Sequence, residues 1–185
     1  MTTRIRTLVC TSIMNVPRVV LLSALIAAMS LPGAAQASHD HAAPATLVQI
    51  VRDATRKYID VNNAGPDYGP AFGCVSGPDH GAMGIHYING ALLDGNIDAE
   101  HPEALIYEPV GDQRRLVGVE YIVDAATWLS NHSSPPMLEG QAFQFVGSPN
   151  RYGIPPFFEL HVWAWRNNPN GAFVDWNNKV SCEGQ

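Results

Sequence analysis

Cysteine and basic residues are scarce in this sequence, and the compact catalytic motifs are missing. Of its 185 residues, three are cysteine and 11 are Lys or Arg, against 17 Asp or Glu, so the net charge is −6. An acidic surface argues against nucleic acid or an anionic membrane as a partner. No serine stands in a G-x-S-x-G turn, and neither a glycine-rich phosphate loop nor an H-E-x-x-H helix is present. The sequence therefore does not support a catalytic triad or a nucleotide site.

The first segment, residues 1–37, has the pattern of a signal peptide. It contains three arginines and no acidic residue, an apolar run from 19 to 31, and A-Q-A at its end, which fits a cleavage site. An uncleaved anchor is the alternative, but the run is short for a membrane span. We expect a periplasmic or secreted protein without membrane contact after cleavage. Cleavage leaves 8 basic and 17 acidic residues, a net charge of −9 with neutral His.

Residues 38–45 are predicted to form a flexible N-terminus of the mature chain. Its first residues, S-H-D-H, place a free amine beside His39 and His41, and such nitrogen atoms can hold Cu(II). A disordered tail without a metal role is the simpler expectation.

Two cysteines, Cys74 and Cys182, remain after the leader is removed. In an oxidising compartment, two cysteines far apart in sequence most simply form a disulfide. Metal binding by the pair is the alternative. We expect a structural bridge that ties the C-terminus to the loop before the first strand.

The remainder, 46–185, is predicted to be a single domain of one helix and a β-rich body. Apolar residues recur at helical spacing over 46–62. Alternating or apolar runs predict six strands at 83–89, 104–109, 115–123, 141–147, 156–166 and 172–176. We expect an α+β, mainly β fold: an antiparallel barrel or a strongly curled sheet, with the N-terminal helix packed on it.

Turn signals support this order of strands. Asn89-Gly90 and Asn170-Gly171 are typical of tight hairpins, and Gly111-Asp112 fits a short loop between the second and third strands. Asp124 is placed to cap one or two helical turns over 124–131.

Potential metal ligands stand alone within the apolar strands. His86, Glu120 and His161 lie on three separate strands, in runs where a polar side chain must point to a definite face. Burying such groups is unfavourable unless they are paired or bound to a metal. Two imidazoles and a carboxylate suit Zn, Fe, Mn or Cu in the divalent state and leave a coordination position open. The alternative is a pair of histidines bonded to carboxylates that stabilise the sheet.

Four other residues are candidates for supporting roles. Glu108 and Glu159 could each supply a fourth ligand, orient a ligand or act as a general base. His80, in the loop before the first strand, could be a ligand or a proton donor, or simply be exposed. Arg151 could hold an anionic substrate. Six aromatic residues could line a pocket or simply form the core: Tyr107, Tyr121, Phe143, Phe145, Trp163 and Trp165.

Several runs resemble those of a widespread uncharacterised family of exported bacterial proteins. These runs are G-A-M-G-I-H-Y, E-A-L-I-Y-E-P, L-V-G-V-E-Y and H-V-W-A-W-R-N-N-P-N-G-A-F-V-D-W-N, and the resemblance covers most of 70–183. It implies no activity. The chain is also loosely similar to cupins, small barrels that hold a metal with His and Glu from inner strands. Cupins place two His as H-x-H, whereas this chain offers His80 and His86, or His86 alone.

Two functions fit these observations. The first is an exported metal-dependent enzyme, oxygenase-like or hydrolytic, acting on a small organic molecule. His86, Glu120 and His161 would hold its metal, and Glu108 or His80 would move protons. The second is a non-catalytic periplasmic protein that binds a metal or a small ligand.

Overall fold

The computed structural model describes residues 46–184. The segments predicted as signal peptide and flexible tail, with His39 and His41, lie outside them. The helices are α1 (Thr46–Thr55) and α2 (Ala125–Asn131), with short 3-10 turns at Arg56–Ile59, Val61–Asn63 and Gly90–Leu92. The strands are β1 (Gly69–Pro70), β2 (Val75–Gly77), β3 (Gly81–Ile88), β4 (Ala104–Val110), β5 (Gln113–Asp124), β6 (Met137–Leu138), β7 (Gln141–Ala142), β8 (Gln144–Val146) and β9 (Phe157–Val162). No helix among the described residues has the length and apolarity that crossing a membrane requires.

Seven strands form one antiparallel sheet in the order β1-β3-β4-β5-β9-β8, with β2 also paired to β3. Strands β6 and β7 form a separate two-stranded ribbon. The mainly β prediction is confirmed, but the sheet does not close, so the barrel alternative is wrong. One reason is that residues 172–176, predicted as the last strand, form no strand that could complete a closed sheet.

The turn predictions have mixed outcomes. Gly111 and Asp112 do form the two-residue connection of a hairpin, because Val110 of β4 faces Gln113 of β5. Asp124 does cap α2, accepting the Thr127 N–H at 2.7 Å. The tight hairpin at Asn89 is wrong: its side chain accepts the Ala91 N–H, and β4 begins only at residue 104. The hairpin at Asn170 is also wrong, because no strand follows it.

Helix α1 packs on the sheet as predicted, although it ends at Thr55 rather than at residue 62 and continues as 3-10 turns. Its buried Leu47, Val48 and Val51 belong to the same apolar cluster as residues of β4, β5 and β9. The Arg52 side chain also donates to the Ala164 carbonyl at 2.7 Å. The main core therefore lies between α1 and one face of the sheet.

The opposite face of the sheet carries the candidate ligands. Strand register places Glu120 directly opposite His161, and His86 opposite Ile106 of the intervening β4. The register of β4 and β5 shifts at Ile106, which leaves Val117 as an extra residue. Val117 consequently packs in a second small cluster with Ile106 and Trp163, not on the α1 side where strict alternation would put it.

Cys74 and Cys182 form a disulfide, with their Cα atoms 5.6 Å apart. The predicted bridge is therefore confirmed. It joins residues 108 positions apart and fixes the C-terminal segment to the chain just before β2.

Replacing both bridge cysteines with alanine should lower the free energy of unfolding by about 2–4 kcal/mol, because the unfolded chain regains the entropy of a long open loop. Metal content should stay unchanged, since neither sulfur belongs to the candidate donor groups. Chemical denaturation and metal analysis measure the two effects. Two free thiols in an unfolded, unreduced protein that lacks residues 1–37 would rule out the bridge.

Candidate metal site

His86, Glu120 and His161 bring one donor atom each to within 4.8 Å of one another. They come from β3, β5 and β9, and the strand between the first two contributes Ala104 directly beside Glu120. Alanine is small enough to leave room for side chains that meet across β4. The predicted convergence of these three residues is thus confirmed as geometry.

The three side chains are almost completely buried, with exposed fractions of 3% for His86, 4% for Glu120 and 1% for His161. The His86 Nε2 atom lies 3.2 Å from the Glu120 Oε2 atom. Two ligand atoms on one tetrahedral ion, with bonds near 2.0–2.1 Å, lie roughly 3.3 Å apart. The spacing therefore suits a shared ion as well as a hydrogen bond.

His161 separates the metal interpretation from the structural one. Both of its ring nitrogens are buried and neither has a hydrogen-bond partner within residues 46–184, and the same holds for His86 Nδ1. A histidine retained to brace the sheet through carboxylates would have those bonds, because buried polar groups are normally satisfied. The His86–Glu120 pair alone fits the structural interpretation; His161 does not.

Burial keeps both imidazoles neutral. It lowers the pKa of His86 to about 4, against a smaller opposing effect of Glu159, and it lowers the pKa of His161 well below its ordinary value. Neutral imidazole is the form that binds metals. The site therefore needs to release no proton from His86 before an ion enters.

Glu159 lies two residues before His161 on the same face of β9, and its buried Oε2 atom has no hydrogen-bond partner among the residues that the structure describes. Burial, together with the neighbouring Glu120 carboxyl, raises the pKa of Glu159. Burial also raises the pKa of Glu120. Two adjacent carboxyls that resist ionisation together are a favourable setting for a cation, and Glu159 remains a candidate fourth ligand or proton donor.

Glu108 and His80 have surroundings of their own. Glu108 pairs with Arg115 at 3.2 Å and accepts the Ser181 N–H at 3.1 Å, so its carboxylate is already bonded near the C-terminal segment. Neither residue is part of a donor group. His80 is exposed and borders a cavity of about 330 Å³ that also contacts Asp175. A proton-moving role for either residue stays a prediction.

The pattern in the sequence missed Asp175 and Tyr152. The sequence pattern predicts only a strand at Asp175 and gives it no role, yet its Oδ1 atom lies 3.7 Å from the His161 Nδ1 atom. Burial and the nearby Glu120 and Glu159 carboxyls raise the pKa of the half-buried Tyr152, whose hydroxyl is 3.4 Å from the Met83 sulfur. The signal for Asp175 was its position as an acidic residue between Val174 and Trp176. The loop that contains Tyr152 offered no comparable signal.

Arg151 and the aromatic set contribute little to the site. The Arg151 guanidinium lies over the Trp176 ring, 5.3 Å from its centroid, and donates to the Ser76 carbonyl. Tyr107, Tyr121 and Phe143 are buried in the core cluster with α1. For these three residues, the alternative of ordinary core packing therefore holds. Phe145 is 58% exposed. Of this set, Trp163 stacks on His161, with ring centroids 6.2 Å apart. Trp165 lies on the side of α1, where its Nε1–H donates a hydrogen bond to the Thr55 hydroxyl.

Two mainly apolar cavities neighbour each other, and the smaller of them contacts the first donor group. A space of about 30 Å³ contacts His86 and Glu120, and a neighbouring one of about 250 Å³ shares Ile122, Ile154 and Phe157 with it. The smaller space holds about one water molecule. An ion held by His86, Glu120 and His161 would therefore have room for one further small ligand on this side.

Comparison of the chain with protein-family models, with curated protein sequences and with solved structures gives no match. The chemistry open to the site therefore follows from its own residues: two neutral imidazoles, several carboxyls and a small apolar space, buried beneath one face of an antiparallel sheet.

Proposed function

We propose that this chain is an exported metal-binding protein and acts as a metal-dependent enzyme on a small organic molecule. His86, Glu120 and His161 hold a divalent transition metal. The observation that carries the proposal is His161, whose two ring nitrogens are buried beside two other donors and have no hydrogen-bond partner in the described part of the chain. The disulfide supports export, since such bridges persist in oxidising compartments.

The donor set narrows the metal to Zn, Fe, Mn or Cu in the divalent state. Two histidines and one carboxylate are the ligands of several catalytic zinc sites and of oxygen-activating Fe(II) sites. Both types leave at least one coordination position for water or substrate. With zinc, the bound water would serve hydrolysis; with iron, the open position would bind oxygen.

The apolar cavities favour an enzyme over a simple carrier. The space beside His86 and Glu120 lets one small ligand reach the ion, and the larger neighbouring cavity can take the apolar part of a substrate. A non-catalytic metal- or ligand-binding protein is the second candidate. The burial of all three donors favours it, because a carrier or a structural site needs no open position.

An open coordination position can be tested with azide. Copper-loaded protein should bind one azide per site and develop an azide-to-copper absorption band. Ile154, 36% exposed and bordering both apolar cavities, controls this approach. Ile154→Trp should weaken azide binding by about tenfold or more, while copper content stays unchanged.

Leu129→Trp is the matched control, because Leu129 is exposed on α2 and borders neither apolar cavity. It should bind azide like the unaltered protein. Copper-loaded protein that binds no azide would have a closed coordination shell, and the carrier interpretation would then replace the enzyme. Protein that takes up no stoichiometric metal would refute both.

A further inference from the structure

A second donor group shares His161 with the first. Glu159, His161 and Asp175 also bring one donor atom each to within 4.8 Å of one another. The His161 Nδ1 atom lies 3.7 Å from Asp175 Oδ1. If Nδ1 serves this second group, Nε2 is left for His86 and Glu120. One imidazole is thus shared by two potential ion positions.

If only the first ion is bound, the His161 Nδ1 atom lacks a hydrogen-bond acceptor at normal distance among the described residues. If Nε2 binds that ion, Nδ1 carries a proton that needs an acceptor within about 3.2 Å. Asp175 Oδ1 is 3.7 Å away and already accepts the Gln144 amide at 2.6 Å. Two bonds near 2.1 Å at a tetrahedral angle span roughly 3.4 Å, so the gap suits an ion better than a proton.

The charges around His161 also allow two ions. Three carboxyls surround it, from Glu120, Glu159 and Asp175, and within residues 46–184 none of them pairs with a Lys or Arg side chain. A single divalent ion balances two of these carboxylates, and the third carboxyl then keeps its proton and binds no ion. Two divalent ions, three carboxylates and one imidazolate also sum to zero, so the second ion adds no net charge to the site.

Access to the second position comes from the polar side of the protein. The cavity of about 330 Å³ is bordered by Asp175 and by polar residues that include Asp79 and His80. Asp175 is only half-buried, so solvent reaches one end of this donor group. An ion there would exchange with the medium and keep a water ligand.

We propose that Glu159, His161 and Asp175 hold a second divalent transition-metal ion, so that His161 bridges two ions as an imidazolate. Binding of the second ion displaces the remaining ring proton of His161 to solvent. No electron transfer is involved. This proposal rests on the proposed function, because the bridge needs the first ion beside His86 and Glu120.

The test is metal stoichiometry in purified protein loaded with Zn(II) and desalted. The unaltered protein should retain two zinc ions, while Asp175→Asn and His86→Gln should each retain one. Asp79→Asn is the matched control: it borders the same cavity but belongs to neither donor group, so two ions should remain. Glu159→Gln gives an independent second variant should Asp175→Asn fail to fold by circular dichroism.

Loading with Cu(II) then tests the bridge itself. Two copper ions joined by an imidazolate couple their spins, so the ordinary mononuclear electron paramagnetic resonance signal should be largely lost. Asp175→Asn should restore it. Two uncoupled copper signals would overturn the bridge. One zinc ion in both the unaltered protein and Asp175→Asn would overturn the second position and leave the proposed function intact, whereas no bound zinc would refute both.

Discussion

Replacing His161 with phenylalanine should abolish stoichiometric metal binding without unfolding the protein. His161 is the only residue common to both donor groups. Structural zinc sites with four ligands bind with roughly 10–16 kcal/mol, so each ligand accounts for about 3 kcal/mol, more than a hundredfold in affinity. Competition with a chromophoric chelator measures the loss. The apo form should melt at the same temperature or higher. Phenylalanine fills the space with a flat aromatic ring and removes the two buried nitrogens that lack partners among the described residues.

This substitution also separates the two interpretations of the histidines. If His161 served to brace the sheet by bonding carboxylates, phenylalanine would leave those carboxylates unpaired and lower the melting temperature. His132→Phe is a suitable control, since His132 is exposed and belongs to neither donor group. It should leave metal content unchanged and lower apo stability by no more than about 1 kcal/mol, because the His132 ring loses its hydrogen bond to the Trp128 carbonyl but keeps the stacking on Trp128. Unchanged metal affinity in His161→Phe would place the ion elsewhere.

The location of the donors could be predicted because strands impose alternation. Glu120 and His161 stand in long apolar runs, and a period of two fixes which neighbours share their face. The register between β5 and β9 then puts them directly opposite each other. The sequence alone does not reveal strand order or register. It therefore could not establish that His86 meets Glu120 and His161 across β4.

The barrel and the last strand could not be predicted for a related reason. Asn170-Gly171 and the apolar residues after it have the local pattern of a hairpin, but local pattern does not ensure a partner strand. The segment instead connects by isolated bonds, such as the Trp163 N–H to the Ala172 carbonyl. That path brings Asp175 back to His161, a long-range contact for which local spacing gives no signal.

Glu159→Gln should make the apo protein more stable at alkaline pH, with a much smaller effect near pH 5. Burial and the Glu120 carboxyl raise the pKa of Glu159 above its ordinary value of 4.5. A raised carboxyl pKa means that the folded state holds a proton that the unfolded state has lost. The unaltered apo protein therefore loses up to about 1.4 kcal/mol per pH unit above 4.5 until the folded group ionises.

Glutamine removes this loss because it has no proton to release. We expect a gain of roughly 2 kcal/mol in unfolding free energy at pH 8, less than the upper limit set by about 1.4 kcal/mol per pH unit between 4.5 and 8. His86 and His161, whose pKa values are lowered, weaken the fold as pH falls below 6.5, but they do so in both proteins and cancel in the difference. Urea denaturation from pH 5 to pH 9 in the presence of a chelator measures the difference in unfolding free energy between the two proteins. Glu100→Gln, at an exposed position, should show no such dependence.

Zinc should reverse the order of stability. An ion needs ionised carboxylates, so metal binding releases the protons that the apo site retains, and stabilisation by zinc should grow as pH rises. The unaltered protein should gain more from zinc at pH 8 than Glu159→Gln does, because only the former supplies that carboxylate. Equal gains in stability would show that Glu159 neither binds the ion nor affects its affinity. A destabilised apo variant at pH 8 would mean instead that the carboxyl supports the fold, and the buried acids would then have to be explained without a metal.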